Sequence, residues 1–228
     1  MKTLAIDTSL STGAVAVIEG DRIAVRSLPT AGEHARLLAA ALEGVAMELG
    51  WRPAAAELVA VVRGPGSFTG LRVGITTAKA LCWAAGSRLL GVSSCEVIAH
   101  GTATAIGRQD EPVNVVFDAG RGEVFVAAVV PDQRSPSGWF VEPGRLAAAH
   151  DWLAGLPSGS IVSGPGLALL TDALPSRPDF VIAPPPAWTP AIATVARIAL
   201  LRAAAGEADD AASLVPDYIR PSYADEKR

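Results

Sequence analysis

The residues best placed to do chemistry are Arg63-Gly64-Pro65-Gly66-Ser67-Phe68-Thr69-Gly70. They follow an apolar run at 58–62 that reads as a buried strand, and they run into a helix whose face carries Leu71, Ile75, Ala78, Cys82 and Ala85. A strand, a glycine-rich turn and a helix start together present outward backbone N–H groups, which attract anions. Gly64, Gly66 and Gly70 permit positive φ or close backbone approach, and Pro65 stiffens the turn. The string is not a Walker loop, because Leu71 and Arg72 stand where that loop has Lys and Ser or Thr. It lacks the third glycine of a dinucleotide fingerprint, and Pro65 occupies the position that a nucleophile elbow reserves for glycine. A degenerate phosphate loop and a purely structural turn both remain open.

The elements around this stretch follow from hydrophobic patterning. Strands are expected at 2–6, 14–18, 22–28, 58–62 and 88–92, with a hairpin turn at Gly20-Asp21. The 29–32 stretch reads as a loop. Helices are expected at 33–49, 71–85 and 95–103, the last capped by Ser93-Ser94. The first helix is apolar on more than one side: Leu38, Leu42, Val45 and Leu49 form one stripe, and Leu37, Ala40, Ala41, Gly44 and Met47 another. Such a helix buries two faces, either inside its own domain or against another chain. A polar, turn-rich stretch at 107–112 marks a boundary between domains at 1–107 and 108–228. The second half restarts the pattern, with strands at 113–117, 124–130, 138–141 and 180–182. It has a helix near 146–153, a second Gly-Pro-Gly at 164–166 followed by a short helix, and a helix opened by Thr189-Pro190 and running to about 205. Asp7 after the first strand recurs as Asp118. The order gives an α/β protein of two β-β-β-α-β-α-β-α halves, the second degenerate.

Composition narrows the classes. The chain has 228 residues, half of them hydrophobic, and a net charge of −4. That is enough for a substantial core, and no apolar run reaches the ~18–20 residues of a membrane span. The N-terminus passes straight into a strand, unlike a signal peptide. Cys82 and Cys95 lack metal spacing and read as free thiols of a reducing cytosol. Scattered positive charge argues against autonomous RNA binding. His34, His100 and His150 form no ligand cluster, and His100 and His150 are expected near helix ends, close to the last carbonyls. No His-Glu-x-x-His and no paired nucleophile and base are present.

The full string from Gly64 to Arg72 closely resembles the signature of the TsaB (YeaZ) family, bacterial proteins of tRNA threonylcarbamoyladenosine biosynthesis. Leu4 to Ser9, Glu33-His34, Gly91 to Ser94, Asp118 with Arg121 to Val124, and Tyr218 to Pro221 agree with it. The resemblance is strongest through about residue 100 and spans the chain. It implies the actin-like ASKHA fold, in which nucleotide sits between the halves. Asp7, Thr8, Ser9, Gly64, Gly66, Ser67 and Gly70 then become vestigial nucleotide or phosphate loops, or, for Asp7, a carboxylate bonded to its own turn. His34 matches the start of the helix on which the catalytic partner TsaD carries its metal-binding histidines, but Leu38 stands one turn on. The resemblance therefore implies a cytoplasmic, non-catalytic scaffold or activator that works with TsaD and the ATPase TsaE. The complex modifies adenosine 37 of tRNAs reading codons that begin with A. tRNA would be met only through the complex. No cofactor is required, and ATP or ADP is left as a ligand at a partner interface. The implied interface is built from Leu37, Ala40, Ala41, Gly44 and Met47 on one helix and Arg72, Thr76, Lys79 and Trp83 on the next; the same helices would form a homodimer without TsaD. An independent actin-like kinase or ATPase is the alternative.

Overall fold

The computed structural model describes residues 1–29 and 31–220. Pro221, the last residue of the C-terminal motif, and the tail beyond it lie outside the described residues. The chain divides into two units: the first holds Met1–Val97 and Pro190–Asp217, the second Ile98–Thr189 and, at the end of the described chain, 218–220.

In the first unit β1 (Thr3–Asp7), β2 (Gly13–Glu19) and β3 (Arg22–Leu28) form an antiparallel meander. The chain then runs through a short 3-10 turn, Ala31–Glu33, into α1 (His34–Glu48). Next come β4 (Leu58–Gly64), α2 (Phe68–Ala85) and β5 (Arg88–Ser93), with β4 parallel to both β1 and β5. The sheet order is β3-β2-β1-β4-β5. Its central strands are buried on both faces, which is why 2–6 and 58–62 read as unbroken apolar runs. On one face Leu4, Ile6, Val59 and Val61 pack with Leu38, Leu42 and Val45 of α1 and with Ile75, Ala78 and Cys82 of α2. The other face, with Ala5, Ala60 and Val62, packs against α5 (Ile192–Ala204). The expected boundary at 107 thus differs from the structure. α3 (Ser94–Ile106) itself crosses the division, and the last helix returns to the first unit because its Ile192, Val195, Ile198 and Ala199 complete that core. Pro190 lies one residue before the cap of α5 and not in its first turn. After α5, Asp209 accepts the Gly91 N–H at 2.7 Å and the Asp217 N–H donates to the Arg63 carbonyl at 2.8 Å, tying the returning chain to β4 and β5.

The second unit repeats the plan. β6 (Val113–Gly120), β7 (Glu123–Pro131) and β8 (Trp139–Val141) form an antiparallel meander, and β10 (Ile161–Ser163) and β11 (Val181–Ile182) run parallel on the other side of β6. The path β8-β7-β6-β10-β11 has the same senses, strand for strand, as β3-β2-β1-β4-β5. The expected helix at 146–153 is instead β9 (Arg145–Ala148), paired with β7, followed by a short α4 (Ala149–Gly155). Free β7 backbone at 123–126 draws Leu146 and its alanines into a ladder against their helical propensity. The segment after the second Gly-Pro-Gly is a 3-10 turn, Pro165–Leu169. Both cysteines are free and buried, and burial pushes the Cys82 thiol up to about 11 and Cys95 to about 12, so neither is ionised at neutral pH. No helix among the described residues is long and apolar enough to cross a membrane.

Candidate functional site

Asp7 ends β1 almost completely buried. One carboxylate oxygen accepts the Ser9 N–H at 2.8 Å, which makes the residue its own turn cap. Burial raises its pKa to about 6, against the lowering effect of Ser9. The Thr8 hydroxyl donates to the Gly70 carbonyl at 2.7 Å, and the Ser67 N–H donates to the Ser9 carbonyl at 2.6 Å. The glycines explain this closeness. A Cβ at Gly66 would lie 2.5 Å from the Ser9 carbonyl oxygen, and one at Gly70 would collide with that of Thr8. Ser67 caps α2 by accepting the Gly70 N–H at 3.3 Å, and Gly64 has φ +126°. The structure thus brings the predicted loop residues Asp7, Thr8, Ser9, Gly66, Ser67 and Gly70 together. Gly64 instead packs against the Asp217 carbonyl.

In the second unit Asp118 makes the same turn, accepting the Gly120 N–H at 2.6 Å, but is exposed. Gly164 and Gly166 press on Val116 and Phe117 in the middle of β6, whereas Gly66 presses on the turn after β1. Arg220 donates to the Ala119 carbonyl and pairs with Glu123, joining two of the sequence fragments that carried the resemblance. His34 is 1% exposed and sits over Gly13, with neither ring nitrogen bonded among the described residues; Leu38, one turn on, is core. His100 lies inside α3 and His150 in the first turn of α4, so neither meets terminal carbonyls as expected.

The expected interface residues separate into two groups. On α2, Arg72, Thr76 and Trp83 are exposed, Trp83 at 90%, and Lys79 is half-buried. On α1, Ala40 and Met47 are exposed and Leu37 is half-buried. Ala41 was expected beside the sheet-facing stripe, but it is buried within the core with Leu38 and Leu42. Gly44 is covered by the guanidinium of Arg26, which pairs with Glu48. The helices α1 and α2 meet one another, so their outward faces are neighbours. Sequence reasoning omitted Phe68 from this surface; it is 40% exposed, with the Arg72 guanidinium 3.8 Å from its ring centre. Its spacing four residues before Arg72 was the available signal.

A family model described as TsaD, tRNA N6-adenosine threonylcarbamoyltransferase, matches residues 29–134. The tRNA threonylcarbamoyladenosine biosynthesis protein TsaB of Bacillus subtilis (strain 168) is 32% identical over 145 residues, covering 58% of this chain and 61% of that protein. TsaB of Escherichia coli (strain K12) is 30% identical over 133 residues, covering 58% and 57% respectively, so the match spans less than two thirds of either relative. The solved structure "YeaZ from Pseudomonas aeruginosa" superposes with a TM-score of 0.80 at 23% identity, covering 95% of this chain and 99% of that one. The chain therefore has the fold of YeaZ, and over a little more than half of its length its sequence is similar to that of the TsaB proteins.

Proposed function

We propose that the chain serves the formation of threonylcarbamoyladenosine in tRNA as a non-catalytic subunit, binding a TsaD-type threonylcarbamoyltransferase through the outward faces of α1 and α2. The observation that carries this reading is the exposure of Met47 on α1 and of Phe68 and Trp83 on α2, at 56%, 40% and 90%, with Arg72 over the Phe68 ring. Trp and Arg are the side-chain types that most often dominate interface energy, and large apolar side chains grouped on one face favour a protein partner. TsaE completes the assembly, and the same face pairs two copies of this chain when the transferase is absent.

The glycine loop supports a structural role. The carbonyl oxygens of Thr8 and Ser9 face it, and they would repel a phosphate. The N–H groups of Ser67 and Gly70 are bonded within the chain. The residues present do not fit a nucleotide phosphate at this loop, and no step is assigned to one. The test is single-turnover transfer of the threonylcarbamoyl group to tRNA with this chain, the transferase, or both. The expected result is no transfer by this chain alone and a faster transfer by the pair. Turnover by this chain alone that disappears in Asp7→Ala would establish a catalytic role instead.

A further inference from the structure

The second unit contains a cavity of about 220 Å³ between the α4-side face of β6 and β7, the turn that joins β8 to β9, and α4 itself. Its size suits a metabolite and not a drug-sized ligand. Its lining is unusual for this protein. Asn114 places an amide in the otherwise apolar run at 113–117 of β6, and its N–H donates to the Ile161 carbonyl at 3.2 Å. Trp152 is 6% exposed and lines the same cavity.

Charges of both signs line the same cavity: Arg145 from β9, Glu142 from the turn before it, and Asp151 from α4. No ion pair joins them to one another or to any other described residue. Most other arginines in the described chain pair with a carboxylate or a carbonyl, as Arg177 does with Asp179 and Leu153. The turn is held in place over β7: the Glu142 N–H donates to the Ala128 carbonyl at 2.9 Å, and Gly144 lies against the Phe125 ring where no side chain fits.

We infer that this cavity binds a small zwitterion of the α-amino acid class. The ligand's carboxylate meets the Arg145 guanidinium, its ammonium meets Glu142 and Asp151, and its remaining polar group reaches Asn114 and Trp152. A guanidinium takes a carboxylate in a two-point, charge-assisted geometry, and carboxylates on the opposite sign supply the ammonium partner. The site lies wholly in the second unit and does not rest on the proposed function.

The experiment titrates the ¹⁵N-labelled full chain with each of the twenty standard L-amino acids and follows the indole N–H signals of its five tryptophans. The Trp152 signal is assigned with Trp152→Phe. We expect a saturable shift of that signal with at least one amino acid. Its N-acetyl and methyl-ester derivatives should bind about tenfold more weakly, as should the parent to Arg145→Gln, an exposed substitution that leaves the core intact. Calorimetric titration of wild type and Arg145→Gln gives the same comparison if Trp152→Phe does not fold. No saturable shift with any of the twenty, or binding that ignores both the Arg145 change and the removal of either ligand charge, overturns the proposal.

Discussion

Asp7 is a carboxylate that the fold resists ionising, and this has a calculable consequence. Its folded pKa of about 6 lies above the ordinary 3.8, so the native state holds the proton more tightly than the unfolded chain does. The sign follows: stability is unaffected below about pH 4, falls as the pH rises toward 6, and stays reduced above it. At ~1.4 kcal/mol per unit, the penalty at pH 7 is about 3 kcal/mol. Asp7→Asn retains an oxygen for the Ser9 N–H, so urea melts should find it more stable than wild type at pH 7.5 and near parity at pH 4. Loss of stability at both values would show that the carboxylate is held by a favourable contact. The glycines make a second comparison. Gly70→Ala drives a methyl into the Thr8 backbone, where neither side can yield, and should cost several kcal/mol, about as much as other overpacked sites or more. Gly101→Ala, inside α3 and facing open space, should gain about 0.5–1 kcal/mol in the same melts.

At the scale of elements, α1 shows what periodicity can and cannot resolve. Leu38, Leu42 and Val45 were legible as the core stripe because they recur at helical spacing. Ala41 was not, because a helix apolar on several sides gives no sequence signal for where its buried face ends. The structure places Ala41 inside the core and Ala40, one residue earlier, outside it. Ala41→Glu should therefore bury an unpaired carboxylate and cost several kcal/mol of fold stability, whereas Ala40→Glu should change it by less than about 0.5 kcal/mol. Thermal melts followed by circular dichroism check both; equal effects would mean the burial assignment is wrong. Gly44 was misjudged for a related reason: Arg26 from β3 covers it, and a contact between elements distant in sequence leaves no local trace. The same holds for β9, whose leucine and alanines have helical propensity but gain ladder bonds from β7. Where the pattern is local and strong, as in Asp7 closing β1, the sequence and the structure agree; β6 instead runs past Asp118 to Gly120, although Asp118 makes the same Asx turn as Asp7.

At the scale of the whole molecule, the two Gly-Pro-Gly strings announced a repeated plan, and the two sheets share one order of senses. The return of α5 to the first unit could not be read along the chain, because it depends on which core still lacked a cover. In each repeat glycines close on that unit's own first strand or on the turn that follows it. The account then rests on the outward surface of α1 and α2. The most direct test is sedimentation velocity of this chain mixed with a TsaD-type transferase, comparing wild type with Ala40→Glu/Trp83→Lys. Both changed positions are exposed, so circular dichroism should show the variant folded as wild type. The account predicts one faster-moving complex for wild type and separate boundaries for the variant; a folded variant that sediments with the transferase as wild type does would contradict it.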